Sequence, residues 1–96
     1  MVSHSKVRLD EESRAAIARA LSDPRRFAML QQIAAVDVLP CCLLREHESL
    51  TPATISHHIK ELSEAGLIEV VREGRGANLS LRRDLWDAYV RALAEM

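Results

Sequence analysis

The sequence is poor in aromatic residues: Phe27, Trp86 and Tyr89 are the only three among 96 residues. Its apolar side chains, 48% of the chain, are therefore mostly Ala, Leu, Ile and Val, which suits packed helices. No apolar run approaches the roughly 20 residues needed to span a bilayer, so a membrane partner is excluded as an expectation. Cysteine is limited to two adjacent residues, Cys41 and Cys42. A disulfide-stapled secreted scaffold needs more, set apart in sequence. Neighbouring Cα atoms stand about 3.8 Å apart, below the roughly 4.4–6.8 Å that a relaxed disulfide spans. Residues 1–8 are polar and lack the apolar stretch of a signal peptide. A reducing, cytoplasmic setting is the corresponding expectation. Excess charge of one sign is also missing: the net charge is −1 although 28% of residues are charged. Taken as an average, that balance argues against a partner with a polyanionic surface. The length predicts one small domain that hides only about 60–65% of its unfolded surface, with little room for a deep substrate cleft.

What is there reads as an ordered series of short elements. Residues 1–9 read as a flexible tail, and 10–96 as the folded domain. Asp10-Glu11-Glu12-Ser13 opens a first helix with acids in its first turn. Its apolar stripe is Ala16, Ile17, Ala20 and Leu21. Asp23 is a natural N-cap and Pro24 fits the first helical position of a second helix, in which Phe27, Leu30, Ile33 and Ala34 recur at helical spacing. After an apolar connector, Val36–Leu39, Pro40 predicts a short third helix through Leu44. Residues 46–50 read as a polar turn. Thr51-Pro52 repeats the cap-plus-proline signal and opens a fourth helix with Ile55, Ile59 and Leu62 on its inner face. Gly66 ends it. The period then shortens: residues 67–72 and 78–82 predict two strands around the turn Glu73–Ala77. Asp84 is placed to cap a final helix carrying Leu85, Trp86, Tyr89, Val90 and Leu93.

Four helices, a hairpin and a helix describe a mainly α (α+β) winged helix-turn-helix of order α-α-α-α-β-β-α. The fourth helix carries the chemistry. Thr51, Thr54, Ser56, His57, His58 and Lys60 are hydroxyls, imidazoles and an ammonium, groups suited to phosphates and base edges. They gather toward the helix N-terminus, the end with which a recognition helix reads a major groove. Glu61 and Glu64 are held toward the far end. Arg72 and Arg75 follow in the hairpin, and Arg75 between two glycines is placed to enter a minor groove. Residues 51–83 hold five basic residues against four acids, whereas residues 84–96 hold Arg91 alone against Asp84, Asp87 and Glu95. The acidic excess therefore lies on the last helix, and the hairpin and fourth helix are mildly positive.

Ser56-His57-His58-Ile59-Lys60-Glu61-Leu62, followed by Ala65-Gly66-Leu67-Ile68, closely resembles the hallmark of ArsR/SmtB-type winged-helix repressors. Ala20-Leu21-Ser22-Asp23-Pro24-Arg25-Arg26 is similar to the start of that family's second helix, and the likeness covers about residues 15–93. The resemblance implies a homodimer joined through the first and last helices. It also implies repression through double-stranded operator DNA until an inducer binds. It places Thr51, Thr54, Ser56, His57 and Lys60 on DNA and Arg75 on the wing. Ile17, Leu21, Leu85, Trp86, Tyr89, Val90 and Leu93 are the expected dimer interface, since the last helix offers more apolar surface than so small a body needs.

A frequent sensing motif of the family, Cys-x-Cys on the third helix, falls on Pro40 and Cys42 and is broken. The chain has no third cysteine, so one subunit cannot supply three thiolates. The family's zinc site on the last helix is also absent, as residues 84–96 contain no histidine. Cys41 and Cys42 keep three readings: small structural residues, a site for a thiophilic metal or metalloid ion, or a thiol-based redox sensor. The last draws on a helix N-terminus at Pro40 and on Arg45, both of which would lower a thiol pKa. His4 and His47 read as solvated residues. His57 and His58 point apart on a helix and lack the spacing of a zinc protease motif. Without a Cys-x-x-Cys, a positioned base or a cleft, a thiol oxidoreductase is not expected. The alternative to a repressor is a winged-helix interaction module that has lost DNA binding, against which the intact polar face of the fourth helix speaks.

Overall fold

A computed structural model describes residues 9–44 and 50–96. Helix α1 (Glu11–Leu21) is capped by Asp10, whose side chain accepts from the Ser13 N–H at 2.8 Å. Helix α2 (Pro24–Ala34) is capped by Asp23, which accepts from the Arg25 N–H, also at 2.8 Å. Helix α3 (Pro52–Glu64) is capped by Thr51, which accepts from the Thr54 N–H at 3.1 Å. The Asp23 and Thr51 caps stand where the sequence put them, and Asp10 adds a third.

The third helix predicted from Pro40 is not observed in that form. Leu39–Pro40 instead form a two-residue strand, β1, followed by a 3-10 turn over Cys41–Leu43. Proline lacks an N–H, and an edge strand tolerates that loss. Two residues are too few to show a strand period. β1 pairs with β3 (Gly76–Leu81), which pairs on its other side with β2 (Ile68–Glu73), giving an antiparallel sheet of order β1-β3-β2. Leu79 is the central rung, opposite Leu39 on one side and Val70 on the other. The hairpin turn is tighter than predicted. Glu73 pairs with Gly76, so only Gly74 and Arg75 form the loop and Ala77 belongs to the strand. Gly74 has φ +60°, as the first residue of a primed two-residue turn requires. Helix α4 (Arg83–Ala94) begins one residue before the predicted cap. Arg82 is its N-cap without a side-chain bond, and Asp84 sits inside the first turn, where an acid suits the dipole.

The junction of α3 and β2 positions the wing. Gly66 has φ +83°, its N–H donates to the Ser63 carbonyl at 2.9 Å, and the Leu67 N–H donates to the Leu62 carbonyl at 3.0 Å. This is a Schellman motif, and its usual apolar contact is formed by the fully buried Leu62 and Leu67. The Leu67 carbonyl then accepts from the Arg82 N–H at 2.8 Å, closing the base of the hairpin beside α4.

The core unites Ile17 and Ala20, Met29, Leu30 and Ile33, Leu62, Leu67 and Ile68, Leu79, and Leu85 and Tyr89. This divides the expected dimer residues. Ile17 is 0% exposed within the single chain, and Leu85 and Tyr89 are likewise buried in it. Ile17 has no surface left to give a partner and Leu85 and Tyr89 keep only 9% each, which corrects their assignment as the main contact. Leu21 and Trp86 are half-buried, while Val90 and Leu93 remain 43% and 51% exposed. The wide apolar face of α4 is thus two stripes. Leu85 and Tyr89 face inward, and Trp86, Val90 and Leu93, at i, i+4 and i+7, form the outer one. Phe27, read as part of the α2 stripe, is in the exposed class.

Candidate nucleic-acid interface

Helices α2 and α3 with the β2–β3 hairpin form a helix-turn-helix followed by a wing. On α3, Thr51, Ser56, His57 and Lys60 are exposed. Thr54 is half-buried, with Oγ1 3.0 Å from the Thr51 hydroxyl. His57 Nε2 lies 3.8 Å from Glu61 and Lys60 Nζ lies 3.9 Å from Glu64. Exposed pairs at such distances are weak, so both side chains can turn to a phosphate. Arg72 on β2 and Arg75 at the hairpin tip are exposed. Asn78 Nδ2 donates to Glu73 Oε1 at 2.6 Å and braces the tip.

Between α3 and β2 runs an open groove of about 460 Å³ lined by Ser56, Ile59, Lys60, Ser63, Glu64, Val70 and Arg72. It brings helix and wing cations to one face. Ser63 was missed in the sequence. Its position seven residues after Ser56, two helical turns on, was the available signal.

His58 does not belong to that face. It is 4% exposed and packs inward. Ile55, His58, Ile59 and Leu62 stand at i, i+3, i+4 and i+7, so His58 occupies a regular place in the inner stripe. Arg26 does the same on α2, three residues before Met29 and seven before Ile33, and the two meet. Arg26 Nη1 lies 3.4 Å from His58 Nδ1 and 3.8 Å from an Asp23 carboxylate oxygen. Arg26 Nε and Nη2 donate to the carbonyls of Ala20 and Arg19 at 2.8 and 3.1 Å, capping the end of α1. Burial lowers the His58 pKa, against the pull of the Asp23 carboxylate. The Asp23 pKa is lowered, chiefly by the Arg25 backbone N–H that its cap accepts. The Ser13 backbone N–H lowers that of Asp10 in the same way.

Cys41 is half-buried, Cys42 is exposed, and both are free thiols. They lie beside the wing and line a cavity of about 270 Å³ with Pro40, Glu73, Arg75, Gly76, Ala77 and Asn78. Cys41 also faces a smaller space bounded by Ser56, Ile59, Val70 and Arg72. The helix N-terminus expected to activate them is replaced by the three-residue 3-10 turn. Arg45, His47 and His4 lie outside the described residues. No group of three His, Cys, Asp or Glu side chains able to hold a metal ion occurs among the described residues. The donors among the described residues thus do not make up a three-coordinate site for a thiophilic ion. No helix among the described residues is long and apolar enough to cross a membrane.

Arranged this way, a capped second helix, an exposed polar third helix and a basic hairpin define a winged helix-turn-helix of the DNA-binding kind. The helix-turn-helix domain family model matches residues 9–71. The chain is 33% identical over 87 residues to the HTH-type transcriptional regulator YceK of Bacillus subtilis (strain 168), covering 90% of this chain and 87% of that protein. It is 31% identical over 71 residues to the arsenical resistance operon repressor of Staphylococcus xylosus, covering 74% and 67%. It shares its fold with the homodimeric winged helix-turn-helix DNA-binding domain of Mb0332 from Mycobacterium bovis (TM-score 0.68, 21% identity, 93% and 89% of the chains covered). This chain belongs to the ArsR family of winged helix-turn-helix transcriptional regulators. Its relatives and its fold are those of regulators, not of enzymes.

Proposed function

We propose that the chain is a homodimeric repressor that binds double-stranded operator DNA in the cytoplasm and leaves it when an inducer acts. The observation that carries this reading is the groove between α3 and β2 lined by Ser56, Lys60 and Arg72, with Thr51, His57 and Arg75 exposed as well. The N-terminal half of α3 enters the major groove, and Arg75 reaches the adjacent minor groove. Thr54 supports Thr51 from behind. The outer stripe of Trp86, Val90 and Leu93 supplies the dimer contact together with Leu21 on α1, in keeping with the homodimeric fold relative. Because the chain carries almost no net charge, its non-specific affinity is weak, and selectivity rests on base contacts and two-fold pairing.

Cys41 and Cys42 are the inducer-responsive element in this reading. Their support is position: they share a cavity with Arg75 and the wing strands, so a group added there bears directly on the DNA-contacting hairpin. Fluorescence anisotropy with a duplex from the region upstream of the gene tests both halves. Lys60→Ala is expected to weaken binding at every sequence and to reduce the salt slope by about 1 per protomer, while circular dichroism stays unchanged. An unaltered affinity and slope would remove Lys60 from the interface. Release by arsenite, cadmium or peroxide should disappear in Cys41→Ser or Cys42→Ser. Induction intact in both variants would make the thiols structural.

A further inference from the structure

The buried meeting of Arg26 and His58 is not needed for a DNA-binding face, yet it sits in the contact between α3 and the helices behind it. His58 Nε2 is buried without a hydrogen-bond partner among the described residues. A guanidinium only donates, so His58 Nδ1 accepts from Arg26 and the ring hydrogen sits on Nε2. Arg26 in turn holds the last carbonyls of α1. One side chain thus ties α1, α2 and α3 together, provided that the imidazole is neutral.

We propose that Arg26 and His58 form a pH-sensitive latch that holds the recognition helix for DNA, and that a proton taken up by His58 releases it. The inference rests on the operator-binding reading above. A second ring proton turns Nδ1 from acceptor to donor and sets two cations 3.4 Å apart in a buried contact. The charged groups facing the ring are Asp23, Arg25 and Arg26 from α2 and His57 from α3 itself. From α1, Arg26 receives only carbonyls. Asp23 is the single opposing charge. One of its oxygens already accepts from the Arg25 N–H and the other lies 3.8 Å from Arg26. Protonation therefore takes the cluster of Arg25, Arg26, Asp23 and His58 from a net charge of +1 to +2. Relief comes from moving α3 outward or from freeing Arg26 and fraying the end of α1.

The sign follows from burial. The neutral ring is favoured in the fold, so the unfolded chain binds more protons below the ordinary histidine value near 6.5. Stability is full above that value and falls as the pH drops below it.

The test is operator affinity by anisotropy from pH 8 to pH 5.5 at constant ionic strength, with His58→Gln beside the wild type. The wild type should hold its affinity through the ordinary histidine value, because burial keeps the folded ring neutral to lower pH, and lose it on further acidification, by up to about tenfold per pH unit for each protomer that must shed a proton. His58→Gln should hold or gain affinity over the same range. In parallel, two-dimensional NMR of the DNA-free wild type follows the His58 ring, the Arg26 Nε–H and the α3 amides. All three are expected to shift on one titration curve. Equal pH dependence in both proteins overturns the latch, as does an imidazole that titrates while the α3 amides stay fixed. Should DNA fail to bind at any pH, the operator reading falls and the NMR titration alone decides the latch. It also decides if His58→Gln does not fold.

Discussion

Leu62→Ala is expected to lower stability by about 2–5 kcal/mol, the range for truncating a buried leucine. Leu62 is fully buried on the inner face of α3, and its carbonyl and side chain both serve the Schellman junction that turns the chain into Leu67. The loss therefore falls on the docking of the recognition helix as well as on the core. Urea denaturation at fixed protein concentration should show an earlier midpoint with an unchanged slope. A cost under about 1 kcal/mol, ordinary for a surface site, would mean that α3 is not seated on the body by this face.

Gly66→Ala is expected to cost about 2–4 kcal/mol, combining a left-handed conformation for a non-glycine residue with local overpacking. A Cβ at Gly66 would stand 2.9 Å from Leu85 Cδ2, so the Leu85 side chain must shift as well. Gly74→Ala is the internal comparison. Its φ is +60°, but nothing lies within 4 Å of the added carbon, so only the backbone cost of about 1–2 kcal/mol applies. Thermal unfolding of the two variants should rank Gly66→Ala well below Gly74→Ala. Equal effects would show that the close approach to Leu85 adds nothing, and that the angle between α3 and the wing is set elsewhere.

The parts of the fold legible in the sequence are those written in local chemistry. Asp23-Pro24 and Thr51-Pro52 mark helix starts because a cap and a proline act within four residues. Gly66 marks a helix end because no other residue accepts its φ cheaply. What escaped depends on distant partners. β1 is two residues long and exists because β3 offers it an edge. The 3-10 turn replaces a helix where Pro40 is held extended in that pairing. At the site, Lys60 and Arg75 were legible because exposure follows from helix phase and turn position. His58 was misplaced because its residue type suggested DNA contact, although its spacing with Ile55, Ile59 and Leu62 already put it inside. Spacing outweighs residue type when a polar partner such as Arg26 waits across the interface. The same holds on α4: Leu85 and Tyr89 share a phase that differs from that of Trp86, Val90 and Leu93, and only the second set is free to meet another chain.

The near-zero net charge, read as an average, argued against DNA. The structure instead brings Lys60 and Arg72 together along the groove between α3 and β2. The most direct test of a two-fold, sequence-reading regulator is a hydroxyl-radical footprint of the purified protein on the DNA upstream of its own gene. Two protected patches on one face of the duplex are expected, with half-sites centred about one helical turn, roughly 10 base pairs, apart, and with protection lost as salt rises. Absence of any footprint at low salt, or protection no different from that on unrelated DNA, would contradict the account.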